Sequence, residues 1–224
     1  MTKRTKLRDR ILPDYTRGEE IFNMVSHIAG GGLGIAILTT CVTVSALHQN
    51  VAGLVTSIIY GVSVIWLYAM SSVYHGMPVG MGKKVMQVLD HCTIYALIAG
   101  TFTPIAVCAI ARENPLLGWG GIAWCWGLAI LAAVLTAIDL RKYKVFSMVC
   151  YLGIGWSVMV IAKTIYQALT PAGFAFLLGG GVFYSVGAIL YGLGRAKRYM
   201  HSVFHLFVIA GTVSHFICIV GYVL

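Results

Sequence analysis

The sequence has few charged residues, and this scarcity excludes an ordinary water-soluble domain. Of the 224 residues, 10% are charged and 59% are hydrophobic, whereas soluble domains carry about 25% charged residues. Acidic residues are especially rare, with seven Asp and Glu against sixteen Lys and Arg. A chain with so little polar side-chain surface cannot cover a globule in water, so we predict an integral membrane protein of one domain.

Three other features are missing. The first twenty residues mix basic and acidic side chains and contain no apolar stretch before a cleavage site, so we expect no cleavable signal peptide. The basic residues lie between apolar runs without interleaved aromatic residues, so we expect no nucleic-acid partner. The six cysteines form no Cys-x-x-Cys pair, and we interpret them as small hydrophobic residues rather than disulfides or metal ligands.

Long apolar runs make up most of the chain. A hydrocarbon core of about 30 Å requires roughly 20 apolar residues per helix, and seven segments meet this requirement. The predicted spans are 21–46, 52–75, 86–110, 116–138, 145–168, 172–194 and 201–223. We therefore predict an all-α integral membrane protein, with a basic cytoplasmic tail (1–19) followed by a single seven-helix domain (20–224).

The distribution of lysine and arginine predicts the orientation, because basic residues are retained on the cytoplasmic side. Six of them lie in the tail, and the second, fourth and sixth loops and their flanks contain two, three and three. Fourteen of the sixteen thus lie on one side; Arg112 lies on the other, and Lys163 lies near the outer end of span five. The N-terminus is therefore predicted inside and the C-terminus outside.

Glycine and proline predict how the helices pack. Small residues let membrane helices approach closely, which we expect for Gly30-Gly31-Gly32-x-Gly34, Gly153-x-Gly155 and Gly179-Gly180-Gly181. No Lys-Ser/Thr pair follows these runs, which disfavours a phosphate-binding loop. Pro104 lies inside span three and predicts a local kink.

Polar residues of four predicted spans collect at one depth, just inside the cytoplasmic leaflet. They are Glu20, Asn23, Ser26 and His27 in span one, Ser71 and His75 in span two, Asp90 and His91 in span three, and His201 and His205 in span seven. The spacing in span one places its four side chains on one helix face. Polar groups inside a membrane are expensive, so this layer predicts a functional site.

The histidines of this layer predict a zinc site. His201 and His205 have the i, i+4 spacing with which one helix supplies two metal ligands, and His75 and Asp90 lie at matching depth. Three imidazoles and an open fourth position for water are typical of catalytic zinc. Asp90 would orient that water and Ser71 would donate to an oxyanion.

The alternative interpretation is that these histidines only form hydrogen bonds within the packed helices. We assign two other histidines to roles outside the site. His48 lies in a predicted loop, and His215 lies roughly 15 Å deeper than His205, at 1.5 Å per residue.

These motifs resemble a known family. Glu20-x-x-Asn23-x-x-Ser26-His27, Ser71-x-x-x-His75, Leu89-Asp90-His91 and His201-x-x-x-His205 followed by His215 resemble motifs of the progestin and adipoQ receptor family. Gly100-Thr-Phe-Thr-Pro104 and Tyr151-Leu-Gly-Ile-Gly-Trp156 resemble its bacterial hemolysin III branch. The resemblance implies a bacterial inner-membrane protein with seven helices and zinc near the cytoplasmic side. It also implies that His75, His201 and His205 are the ligands, that Asp90 contacts the metal through water and that Ser71 lies beside the site.

Three functions remain open from the sequence. The first is a zinc-dependent hydrolase of a lipid amide or ester, as the resemblance to the ceramidase-like adiponectin receptors implies. The second is a non-enzymatic sensor for membrane homeostasis, in which zinc is structural and a membrane lipid is a ligand. The third is a pore-forming cytolysin, which only the family label suggests. The chain lacks the polar surface that a secreted toxin needs, and the sequence predicts no oligomeric state.

Overall fold

Seven long helices dominate the protein, of which we describe residues 4–193 and 197–224 from a computed structural model. All seven are long and apolar enough to cross a membrane, and these residues contain no strand. The helices are α1 (Arg17–Leu47), α2 (Val51–Gly76), α3 (Met81–Glu113), α4 (Pro115–Ile138), α5 (Lys144–Ala168), α6 (Pro171–Leu193) and α7 (Met200–Tyr222). The predicted all-α seven-helix fold is confirmed. Lys3, Gly194 and Arg195, which the predicted tail, sixth span and sixth loop include, lie outside the described residues.

The helices begin where the sequence supplies capping residues. Thr16 and Glu19 form a capping box at α1, in which the Thr16 hydroxyl accepts the Glu19 N–H at 3.2 Å. The side chains of Asn50 and Asn114 cap α2 and α4, and Pro115 occupies the first turn of α4. The capping box starts α1 at Arg17, four residues before the predicted span.

Two helices are interrupted within the membrane-spanning region. In α3 the α-helical hydrogen bonding of Met81–Pro104 gives way to a π-helical segment, Ile105–Ile110. The change follows Pro104 directly, because proline lacks the N–H that the next α-helical bond requires. The predicted kink at Pro104 stays a prediction, and the structure shows a change of helix type directly after this residue. In α5 a 3₁₀ segment, Val158–Ile161, interrupts the helix without a proline or glycine in it.

Consecutive helices run in opposite directions, so α1, α3, α5 and α7 begin at the same end, which we call the N-terminal end of the bundle. Of the most apolar stretch of α3, 72% is buried, compared with 11% for α5. Thus α3 lies in the centre of the bundle and α5 at its edge. Tyr60, Tyr68 and Tyr95 are fully enclosed between the helices.

Some of the glycines allow close helix contacts, as predicted. A Cβ atom at Gly30 would lie 2.5 Å from the ring of Tyr68. Gly34 lies against α2, and a Cβ atom at Gly180 would overlap the ring of His215. The prediction is wrong for glycines of the same runs that have no described neighbour within 4 Å of the Cβ position: Gly31, Gly32, Gly153 and Gly155.

Residues 4–16, which we call the N-terminal segment, lie across the N-terminal end of the bundle. The Thr5 N–H donates to the Asp139 carboxylate at the end of α4, at 2.7 Å. Lys84, at the start of α3, donates to the carbonyl of Arg8 at 2.6 Å. The segment is therefore attached to the membrane domain at several points.

The buried side chain of Asp139 binds this segment to the membrane domain. Its carboxylate accepts N–H groups from Thr5, Arg141 and Lys142. Burial alone would raise the pKa of Asp139, but these three donors and the charge of Arg10 outweigh it and hold the pKa below its usual value.

Candidate metal centre

Three histidine side chains converge at the N-terminal end of the bundle. His75 lies in the last turn of α2, and His201 and His205 lie one turn apart at the start of α7. The Nε2 atom of His201 lies 3.3 Å from Nε2 of His75 and 3.2 Å from Nε2 of His205. All three offer ligand atoms within 4.8 Å of one another and could hold a metal ion. The structure thus brings the predicted ligand residues together.

The protonation of these rings favours a cation between them. The Nδ1–H of His75 donates to Glu20 at 2.6 Å, so in the neutral ring its Nε2 is an acceptor. The Nε2 of His201 lies between two other Nε2 atoms, and a single N–H bond cannot be well aligned with both. If all three rings are neutral, one of the two close contacts between Nε2 atoms therefore lacks a well-aligned hydrogen bond. A cation satisfies all three lone pairs at once.

Glu20 connects the histidine cluster to a buried lysine. Its Oε2 atom accepts from His75, and its Oε1 atom accepts from the Lys83 ammonium group at 2.7 Å. The Lys83 side chain is only 4% exposed and also donates to the carbonyl of Met77 at 3.0 Å. A carboxylate in this position fixes the ring orientation and the tautomer of a ligating histidine.

The other predicted residues of α1 pack against His205. The Ser26 hydroxyl lies 3.4 Å from Nδ1 of His205, and the ring of His27 stacks on that of His205 with centroids 3.6 Å apart. Asn23 is completely buried on the same helix face. Among the described residues, the side-chain nitrogen and oxygen atoms of Asn23 and His27 have no hydrogen-bond partner. All four predicted residues of α1 thus lie beside the centre.

Ser71 and Asp90 line an apolar cavity between the helices. This cavity, of about 190 Å³, extends between α2, α3, α5, α6 and α7, and His201 and His205 also line it. The Asp90 side chain is 15% exposed. Asp90 is not a member of the metal-binding cluster but borders the same cavity.

His91 is held by hydrogen bonds away from the cluster. Its Nδ1–H donates to the carbonyl of Gln87 at 2.8 Å, and its Nε2 lies 3.4 Å from the hydroxyl of Tyr191. The Asp90 carboxylate is 3.7 Å from the same Nδ1 atom. His91 therefore orients groups around the cavity rather than joining the three converging rings.

Two residues of the site were missed by the sequence analysis. Lys83 is one: it was counted among the basic residues that set the orientation, and no sequence pattern indicated its contact with Glu20. Tyr15 of the N-terminal segment is the other, since its ring stacks on His201 with centroids 5.0 Å apart. Burial raises the pKa of the Tyr15 phenol, which keeps its proton. No sequence pattern indicated this contact.

The remaining histidines and the cysteines lie elsewhere. His48 caps the C-terminal end of α1 and donates to the carbonyl of Leu224 at 3.1 Å. His215 donates to the carbonyl of Leu177 at 3.1 Å and is absent from the cluster, as its predicted depth required. All six cysteines are free thiols.

Comparisons with known proteins agree with this architecture. A family model described as Haemolysin-III related matches residues 15–216. Hemolysin-3 of Bacillus cereus is 37% identical over 206 residues, which cover 92% of each chain. The Hemolysin-3 homolog of Bacillus subtilis (strain 168) is 32% identical over 93% of this chain and 96% of that protein. The human monocyte to macrophage differentiation factor is 25% identical over 75% of this chain and 70% of that protein. The chain is thus a multi-pass membrane protein that belongs to the Haemolysin-III related family.

Proposed function

We propose that His75, His201 and His205 bind one zinc ion through their Nε2 atoms. Two ligands at 2.0–2.1 Å in a tetrahedral site are about 3.3 Å apart. The separations of 3.3 and 3.2 Å between the Nε2 atoms match this spacing. Imidazole is a common zinc ligand, and a carboxylate on the second nitrogen, such as Glu20 on His75, is a recurring feature of such sites.

We further propose that the protein hydrolyses a lipid amide or ester in the inner membrane of a bacterium. The observation that carries this proposal is the junction between the histidine cluster and the apolar cavity, whose lining combines Asp90 and Ser71 with His201 and His205. Bound zinc supplies a Lewis acid that polarises the substrate carbonyl and lowers the pKa of water. An acyl chain in the apolar cavity would present its carbonyl carbon to this junction.

The residues of the chain have separate roles in this reaction. The Asp90 carboxylate accepts a proton from the attacking water as the new C–O bond forms. The Ser71 hydroxyl donates a hydrogen bond to the oxygen that becomes negatively charged. When the C–N or C–O bond to the leaving group breaks, Asp90 returns the proton to that group. The products are a fatty acid and an amine or alcohol.

Metal analysis together with a lipid assay tests the proposal. The purified protein is expected to contain about one zinc per chain and to release fatty acid from at least one lipid of a panel of ceramides and phospholipids. His205→Ala should lose both zinc and turnover. Asp90→Asn should keep zinc but lower turnover by at least 100-fold, since a general base contributes 10²–10⁴-fold. His48→Ala, outside the site, is the control and should change neither.

A second candidate function is a non-enzymatic role in membrane homeostasis, with structural zinc. The position of the centre favours this function. Glu20 on α1 contacts His75 on α2, and His75 contacts His201 on α7, so the centre connects three helices. In that case His201→Ala should lower thermal stability, whereas Asp90→Asn should leave cellular function intact. If the purified protein contains zinc but hydrolyses no lipid of the panel, the result favours this function over hydrolysis.

A further inference from the structure

A second cavity, which we call the vestibule, lies at the N-terminal end of the bundle. It has a volume of about 500 Å³ and lies between the N-terminal segment, the start of α5, the end of α6 and the start of α7. Tyr191 and His201 line both the vestibule and the apolar cavity. The two cavities therefore lie on either side of Tyr191 and of His201, a proposed zinc ligand.

The vestibule contains cationic groups that acidic residues do not neutralise. Its lining includes three cationic residues, Lys144, Lys197 and Arg198, and two acidic residues, Asp14 and Glu19. Arg198 forms ion pairs with Asp14 at 3.6 Å and Glu19 at 3.4 Å. Lys144 and Lys197 form no ion pair with any carboxylate in the described part of the chain.

The backbone adds to this positive potential. Helix α5 begins at the vestibule, at Lys144, and has no side-chain hydrogen bond at its N-cap. At the start of α7 the Tyr199 N–H already donates to the Glu19 carboxylate, at 2.7 Å. The first-turn N–H groups of a helix without such a cap attract anions, and the helix dipole acts in the same direction. The two lysines and the start of α5 therefore favour an anion in the same cavity.

We propose that the vestibule binds the phosphate of a lipid headgroup, so that the substrate is a glycerophospholipid. This inference rests on the proposed function and specifies its substrate. The phosphate lies between Lys144 and Lys197 at the level of the helix ends. The acyl chain occupies the apolar cavity, and the ester carbonyl lies between them, beside His201. A ceramide has only hydroxyl groups in its headgroup and offers no negative charge to these lysines.

Lipid binding to the zinc-loaded protein tests the headgroup site independently of turnover. The probes are phosphatidylglycerol, diacylglycerol with the same acyl chains, and inorganic phosphate, measured by native mass spectrometry or by displacement of a fluorescent lipid. We expect phosphatidylglycerol to bind at least tenfold more tightly than diacylglycerol. Lys144→Gln and Lys197→Gln should each weaken phosphatidylglycerol binding about fivefold at low salt, and leave diacylglycerol binding and zinc content unchanged.

The matched control is Arg141→Gln with Lys142→Gln, which removes two charges from exposed positions of the same loop that do not line the vestibule. This variant should bind phosphatidylglycerol within twofold of the parent protein. An equal loss in the control double variant and in the Lys144→Gln and Lys197→Gln variants overturns the headgroup site, as does equal affinity for phosphatidylglycerol and diacylglycerol. Inorganic phosphate that binds as tightly as the lipid shows a site for the free anion and also overturns it. Tight charge-dependent binding without turnover overturns the hydrolase and leaves the headgroup site standing.

Discussion

The Nδ1 atom of His75 lies 2.6 Å from the Oε2 atom of Glu20, which joins the end of α2 to the start of α1 within the candidate metal centre. The opposite oxygen of the same carboxylate accepts from Lys83 on α3. One side chain thus fixes the ring of a proposed ligand and neutralises a buried cation. These two roles lead to separate predictions.

Glu20→Gln should lower zinc affinity by about 10- to 100-fold, because the amide holds the His75 ring less firmly and makes its Nε2 less basic. A competition titration with a chromogenic chelator measures this change. Glu113→Gln, at the exposed end of α3, is the control and should leave the affinity unchanged. Equal zinc affinity in Glu20→Gln and the parent protein would contradict the orienting role of Glu20.

Lys83→Met should destabilise the protein by about 2–3 kcal/mol, because it leaves the largely buried Glu20 carboxylate without its ammonium partner. This loss of stability is at or below the low end of the range measured when one partner of a fully buried ion pair is removed. The reason is that the Glu20 side chain is 19% exposed, so water weakens the interaction. The neighbouring Lys84→Met is the matched control, because Lys84 contacts only an exposed backbone carbonyl. Thermal unfolding in detergent should show a drop of several degrees for Lys83→Met alone. Similar drops for both variants would argue against a specific ion pair.

Gly30→Ala should destabilise the bundle by about 1–3 kcal/mol, because the new methyl group meets the fully buried ring of Tyr68. Gly31→Ala should be neutral or slightly stabilising, since its Cβ position has no neighbour within 4 Å in the described structure and alanine favours helix. The two adjacent substitutions add the same methyl group to the same helix. Their thermal unfolding temperatures should therefore differ, and equal temperatures would refute the packing of α1 on α2 at this point.

The N-terminus should lie in the cytoplasm and the C-terminus outside it, because fourteen of the sixteen basic residues fall on one side of the seven helices. Cysteines introduced at Lys6 and at Gln49 in a cysteine-free variant report the orientation. An impermeant maleimide should label position 49 in intact cells, and position 6 only after the membrane is permeabilised. The reverse labelling pattern would show the opposite orientation.

Asp139 should hold the N-terminal segment in a pH-dependent manner. Its pKa is lower in the folded protein, so its contribution to stability is present above the ordinary aspartate pKa of about 3.9 and is lost as the pH falls through the folded value. Asp139→Asn should remove the contribution at every pH. Limited proteolysis at pH 7 should therefore cleave the segment near Arg8 and Arg10 faster in this variant. Asp9→Asn, an exposed acidic position in the segment itself, should be cleaved at the parent rate.

The sequence predicted the helices and the convergence of the three histidines because both depend on local patterns. Seven apolar runs identify seven helices whatever their packing, and the four-residue spacing places His201 and His205 on one face. His75 could be added because spans two and seven meet the same membrane surface at opposite ends of their own sequences. These predictions required only helix geometry and the thickness of a bilayer.

Other features depend on tertiary packing and could not be predicted. A lysine at the start of a helix has the same sequence pattern whether it sets topology, as assumed for Lys83, or neutralises a buried carboxylate, as the structure places it. Tyr15 belongs to a segment without apolar periodicity, so its stacking on His201 had no sequence signal. The 3₁₀ segment in α5 contains only Val, Met and Ile and no helix-breaking residue.

The separation between His75 and His201, 126 positions along the chain, has a consequence for biosynthesis. The second helix leaves the ribosome long before the seventh, so His75 is in the bilayer while its partners are still being translated. The cluster can be assembled only when the final helix has been inserted in the correct direction. The proposed metal can therefore be bound only after α7 has been inserted, and a chain truncated before residue 200 or inserted with α7 reversed should lack this site.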